Sequence, residues 1–340
     1  MFTQFLPPRS DERILSLVTR LSTKKRGKSF MKSLVEMADH FLSREFFIWN
    51  FSADHEPVLR VTSGETILLQ TRDCYNYAVQ TAQDLLKTIP ASEINPATGP
   101  IFIEGAMPGD TLAVTLIAIE PGTRGAARLS VGEGQLHEQV KAPYGCFFDV
   151  VDGTVKMNEN VSFPATPMIG VIGVAPEFGT ISTLPAGAHG GNLDNNMNKA
   201  GSIVYLPVKH EGALLAIGDM HASMGDGEIC GTGIEIEGEV LIKVEVIKSI
   251  GTTFPVTQTA DSWITHGVAV EDLTAAIKIA CEEAAGLLVE QWGFTYEDAF
   301  IFLSVAGNLG IAQSVHPSTG TVIAKMSVPN ISACPTPFNI

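Results

Sequence analysis

The segment Ile234-Glu235-Ile236-Glu237-Gly238-Glu239-Val240-Leu241-Ile242-Lys243-Val244-Glu245-Val246 decides the fold class. Its even positions carry Ile234, Ile236, Val240, Ile242, Val244 and Val246; its odd positions include Glu235, Glu237, Glu239, Lys243 and Glu245. Successive side chains of a strand point to opposite faces. The run therefore predicts an antiparallel strand with one face buried and one in water, and the three glutamates are expected on the wet face.

The same period extends outward. Residues 57–62 and 65–72 are short strand-like runs around Ser63-Gly64 and read as a hairpin. Residues 101–104 and 111–119 repeat the pattern around Met107-Pro108-Gly109-Asp110. Only near the end does a helical period appear, over residues 273–289, where Leu273, Ala276, Ile277, Ala280, Ala284, Leu287 and Leu288 share a face. Asp272 is placed to cap its start and Gly293 its end, and Thr295 with Asp298 opens a second helix. The expected fold is mainly β: a β-sandwich, jelly-roll-like body over residues 43–260, with an appended α+β region over 261–340.

Composition narrows the function. The 340 residues carry 32 Gly and 19 Pro but only 17% charged residues, which leaves little for long exposed helices. The net charge of −15 argues against nucleic acid and anionic membranes as partners. Five cysteines, none in CxxC spacing, argue against a disulfide framework or a cysteine zinc site. No apolar run is long enough for a membrane span, and the N-terminus lacks signal-peptide order, so a cytoplasmic protein is expected. Residues 1–42 hold eight Lys/Arg against four acids, net +4 against −19 for the remainder. They read as a basic extension, either a solvated, loosely attached tail or an arm that touches a partner. The apolar composition also points to a homo-oligomer.

The unusual polar residues gather in two glycine-rich stretches, Ala188-His189-Gly-Gly-Asn192-Leu-Asp194-Asn-Asn196 and Gly218-Asp219-Met-His221-Ala-Ser-Met-Gly-Asp226-Gly-Glu228. Two-residue spacing on a strand projects Asp219 and His221 together, and likewise Asp226 and Glu228. A carboxylate and an imidazole on one face can hold a divalent cation or act as an oriented acid–base pair. The pair also occurs as a plain surface hydrogen bond, Asp226-Gly227 reads first as a turn, and Cys230 as a buried structural thiol.

In these residues the sequence resembles the acetamidase/formamidase family of amide hydrolases. The resemblance is carried by residues 56–65, by Thr71-Arg72-Asp73-Cys74, by Asn95-Pro-Ala-Thr-Gly-Pro-Ile-Phe-Ile-Glu-Gly-Ala-Met-Pro-Gly-Asp110, by both glycine-rich stretches, and by Gly231-Thr-Gly-Ile-Glu235. It runs from about residue 45 to the C-terminal helices. Ser223-Met224 departs from the family's usual small residue and Gln. The resemblance implies a β-sandwich with an α+β addition, hydrolysis of short amides such as formamide or acetamide to carboxylate and ammonia, and a divalent metal.

Chemistry assigns roles within those motifs. Asp194, Asp219 and His221 are the expected metal ligands, with zinc favoured over calcium or magnesium. Asp73 or Glu228 is expected to move the proton from water to the leaving nitrogen. His189 and Asn192 are expected to bind the substrate oxygen. The alternatives are a metal-free nucleophile, Cys230 or Ser223, and a non-catalytic β-sandwich binding protein or degenerate family member.

Overall fold

The computed structural model of the protein describes residues 28–248, 251–315, 320–335 and 337–338. Two sheets face each other across one apolar core. The larger has nine strands, in the order His40–Leu42, Thr66–Thr71, Gly238–Ile247, Thr111–Pro121, Ile203–Pro207, Val256–Gln258, Ser262–Val270, Thr321–Pro329 and Asn308–Gln313. The smaller is built on Gly190–Asn192, Met168–Gly173, Leu215–His221 and Ala97–Glu104. Leu69, Leu112, Val114, Val240 and Ile242 of the first meet Ile101, Ile169, Ile172, Ile217 and Met220 of the second. The fold is mainly β and sandwich-like, as its alternation predicts.

The deciding strand is Gly238–Ile247, paired antiparallel with Thr66–Thr71 on one side and Thr111–Pro121 on the other. Its even positions Val240, Ile242 and Val244 are fully buried. Its outward Leu241 is buried as well, because the helix Lys28–Met37 lies over it and presents Leu34 to Leu68, Ile117 and Leu241. Residues 28–42 are thus docked rather than loosely attached. Leu34 is fully buried, and His40–Leu42 pairs parallel with Thr66–Thr71. The remainder of the expected extension, residues 1–27, lies outside the described residues.

Two further expectations change. Residues 57–62 and 65–72 do not form a hairpin: Leu59–Thr62 pairs parallel with Ala97–Glu104 in the smaller sheet, whereas Thr66–Thr71 belongs to the larger. The turn at Met107–Asp110 likewise leads from one sheet to the other. Turn residues reverse the chain, but apolar alternation is satisfied equally when the two arms pack across the core. The boundary near residue 260 also falls inside a sheet, since Val256–Gln258 pairs directly with Ser262–Val270.

The C-terminal helices follow their caps. The Asp272 carboxylate accepts from Ala275 N, Gly293 closes Leu273–Trp292 in the left-handed conformation, and Thr295 caps Tyr296–Ala306. The long helix sits close on the sheet through Ala276, Ala280 and Ala284. A Cβ at Gly267 would strike the backbone of Ala276, so the strand beneath needs glycine there. Truncating Leu34 to Ala should destabilise the protein by about 2–5 kcal/mol in urea unfolding. An unchanged midpoint would show that the helix Lys28–Met37 does not contribute to the core.

Candidate functional site

The strand Leu215–His221 lies in the middle of the smaller sheet with every residue buried. At its end Asp219 and His221 come together, with Asp219 Oδ1 3.6 Å from His221 Nε2. Asp219 does so from a left-handed backbone, φ 54°. Asp194 follows the strand Gly190–Asn192 and also has positive φ, 38°. Its Oδ1 stands 4.0 Å from His221 Nδ1. Glu228, φ 44°, comes from the loop beyond His221. Non-glycine residues seldom hold such angles, and a concentration of them marks a place where position outweighs local stability.

Beneath the carboxylates is Gly170. A Cβ there would overlap Asp194 Oδ1 and Asp219 Oδ2, so only glycine leaves the space these oxygens occupy. Gly233 serves the imidazole in the same way, since a Cβ would stand 2.8 Å from the His221 ring. Asn95 Nδ2 donates to Asp219 Oδ2 (3.2 Å).

Glu235 completes the cluster, and here the alternation misleads. The ladder with Thr66–Thr71 and Thr111–Pro121 stops at Gly238. Residue 235 instead bridges Ala126 and His221, and its side chain is 3% exposed. Glu235 Oε2 lies 3.0 Å from His221 Nε2, yet both atoms are buried without a properly aligned hydrogen bond. Glu237 and Glu239 do keep partial solvent exposure.

Gln313, from the C-terminal edge strand, is the other unanticipated member. Its Nε2 donates to both Asp194 Oδ2 and Glu228 Oε2, the latter at 3.1 Å. The loop carrying Glu228 is laced to that strand by Gly227 N to Ala312 O and Ser314 N to Gly227 O. It is also tied by an ion pair between Asp226 and the buried Lys325. Asp226-Gly227 is therefore a turn with a structural anchor.

Four carboxylates and one imidazole thus share a site closed to water. Burial, then the charges of Glu228 and Asp219, push Asp194 well above the usual carboxylate range. Burial raises Asp219 to about 6 and lifts Glu228 as well. Burial alone would depress His221, but Glu235 and Asp219 outweigh it and hold the imidazole well above its ordinary value. Two sets of three groups have ligand atoms mutually within 4.8 Å: Asp194, His221 and Glu228; and Cys74, Asp219 and Glu235. Buried anions in such excess are paired or bind cations. With Asp194 Oδ1, His221 Nε2 and Glu235 Oε2 lacking hydrogen-bond partners, the donor set fits a divalent metal.

The other expected site residues are not members of this cluster. Asp73 stands in the wall of a neighbouring cavity of about 230 Å³, which Tyr75, Phe147, Glu235 and Glu237 also line. Its Oδ1 accepts from Tyr75 N (2.9 Å) and Tyr77 N (3.3 Å), and burial lifts it to about 6. His189 is set edge-on to Phe51, and Asn192 pairs with Val171 in the Phe51 cluster. Among the described residues neither shares a hydrogen bond or ion pair with the carboxylates. Ser223 meets Thr166, and the Cys230 thiol faces Thr232.

A buried acid–imidazole cluster in a β-sandwich defines a class of site rather than a single enzyme. The comparisons supply the family. The acetamidase/formamidase family model matches residues 43–180 and 178–331, and the chain belongs to that family. The crystal structure of a recombinant predicted acetamidase/formamidase from Thermoanaerobacter tengcongensis superposes with a TM-score of 0.82 at 40% identity, covering 86% of this chain and 95% of that one. The acetamidase of Bacillus halodurans gives 0.82 at 37% identity, covering 85% and 97%. The acetamidase of Mycolicibacterium smegmatis is 32% identical over 46% of this chain and 43% of its own length. The chain spans between 40% and 61% of the length of the curated relatives it matches.

Replacing Gln313 with Leu removes the donor shared by Asp194 and Glu228 and should cost about 1–3 kcal/mol in urea unfolding. A neutral result would show that the carboxylates do not depend on it. Two buried histidines give a pH prediction. Burial lowers His189 and His266 from 6.5 to about 4. Asn195 Nδ2 donates to His266 Nε2, which leaves that nitrogen no room for a proton. Below pH 6.5 the unfolded chain takes up protons that the folded chain refuses until about pH 4. The stability from each histidine is complete above 6.5 and drains away towards 4, on the order of 3 kcal/mol apiece. The melting temperature of His266→Gln should therefore fall less steeply between pH 7 and 4.5 than that of the wild type; parallel slopes would contradict this.

Proposed function

We propose that this chain hydrolyses short primary amides, of the formamide or acetamide class, to carboxylate and ammonia. The observation that carries the reading is the excess of buried carboxylates around His221, with ligand atoms lacking partners, in a chain whose relatives are named for that activity. Asp194, His221 and Glu228 would hold a divalent metal, with Asp219, Glu235 and Cys74 as adjoining donors. An imidazole and a thiol among carboxylates favour zinc over calcium or magnesium.

Amide resonance makes the carbonyl a poor electrophile. A bound divalent cation supplies polarisation of that carbonyl and a lowered pKa for water. The protein's own groups do the rest. Gly170 and Gly233 leave room for the carboxylates and imidazole to converge, and Gln313 and Asn95 orient Asp194, Glu228 and Asp219. Asp73, raised to about 6 with one oxygen tied to backbone N–H groups, suits transfer of a proton from water to the departing nitrogen. His189 and Asn192, whose Nε2 and Oδ1 are buried without hydrogen-bond partners, would bind the substrate's polar atoms.

We further propose that the protein works as a cytoplasmic homo-oligomer. No helix among the described residues is long and apolar enough to cross a membrane, and Phe300, Ile301 and Val305 expose an apolar helix face.

Purified protein should release ammonia from formamide and acetamide. Exhaustive chelation and His221→Ala should each reduce turnover at least ~100-fold, with metal content by mass spectrometry falling in parallel. Full activity in chelated, metal-free protein would overturn the metal-assisted route. Failure to act on any amide would overturn the amidase reading.

A further inference from the structure

Formamide and acetamide are small, yet the cavity beside Glu235 is not. It measures about 230 Å³, whereas an apolar cavity of ~150 Å³ takes benzene, a ligand of six heavy atoms. Acetamide has four. For a primary amide the leaving group is ammonia, so whatever part of the substrate reaches into the additional volume belongs to the acyl group.

The walls describe what would fill it. Val79, Ala126, Phe147 and the ring of Tyr75 give apolar surface. Phe147 is held flat beneath Arg124, whose guanidinium carbon lies 3.9 Å from the ring centroid. Tyr77 is fixed by its hydroxyl donating to Glu237 Oε2 (2.7 Å). The Tyr75 hydroxyl itself is buried, so Tyr75 contributes its ring rather than a donor to this wall. Asp73, Glu235 and Glu237 outnumber the one cation of the wall, Arg124, and this acidic excess opposes a negatively charged acyl group. Glu235 is shared between this cavity and the His221 cluster, so a molecule seated here adjoins the cluster through that residue.

We propose that this cavity is an acyl subsite, and that the protein acts on uncharged primary amides with a ring-sized apolar acyl group in preference to formamide and acetamide. The proposal rests on the amide-hydrolase reading for its chemistry, but on the cavity alone for its selectivity. A methylene group in such a pocket is worth ~10-fold or more in kcat/KM.

The test compares formamide, acetamide, cyclohexanecarboxamide and succinamate on the full chain, by ammonia release and by isothermal titration. Cyclohexanecarboxamide is expected to exceed acetamide by at least ~10-fold in kcat/KM and to bind more tightly. Succinamate, anionic, is expected to fall at least ~10-fold below cyclohexanecarboxamide. Val79→Phe should lower the value for cyclohexanecarboxamide more than that for acetamide. Thr123→Trp, at an exposed position on the rim and so harmless to folding, should do the same. A kcat/KM that declines steadily from formamide to cyclohexanecarboxamide, or equal losses for both amides in both variants, would overturn the subsite. Tight binding of cyclohexanecarboxamide that Thr123→Trp abolishes, without turnover of any amide, would support the subsite and overturn the amidase reading. Absence of both binding and turnover would overturn both.

Discussion

The structure depends on keeping four carboxylates together out of water. Asp194, Asp219, Glu228 and Glu235 repel one another around a single imidazole, and burial worsens the repulsion. Everything near them mitigates that conflict. Gly170 gives two of them space, Asn95 and Gln313 bring amide hydrogens, and the His221 imidazole stands between Asp219, Glu235 and Asp194. Three of the four acids sit on left-handed backbone, a local cost that the surrounding sheets enforce.

That burden is spread over the whole chain. Cys74 and Asn95 reach the site from near the start of the sandwich, the smaller sheet provides Asp194, Asp219 and His221, and the C-terminal edge strand brings Gln313. The α+β segment is consequently not an appendage. Its strands continue the larger sheet, and its Lys325 and Gln313 fasten the loop that holds Glu228. Ala276, Ala280 and Ala284 let the long helix sit close enough to stiffen those strands.

Much of this was legible in sequence wherever a short-range period governed it. Alternation identified the strand Gly238–Ile247 and the sandwich class, and capping residues identified both C-terminal helices. Two-residue spacing brought Asp219 to His221, although through a left-handed residue that no spacing rule contains. Partners distant in sequence were not legible. Ser63-Gly64 announced a reversal but not that its two arms enter different sheets. Alternation places Glu235 in solvent only if it continues past Gly238, where the ladder in fact ends. Gln313 is one polar residue in a short edge strand, and nothing local distinguishes it.

The dispersal of the site has a consequence for biosynthesis. A ribosome delivers Asp194, Asp219, Glu228 and Glu235 before the residue that bridges two of them, because Gln313 lies 78 positions beyond Glu235. At ~5–20 residues per second that is an interval of seconds, long compared with chain collapse. During it Asp194 and Glu228 lack the amide donor that they share in the folded chain. The shared amide contact of the site can therefore form only after Gln313 has been synthesised, when most of both sheets is already outside the peptidyl-transferase centre.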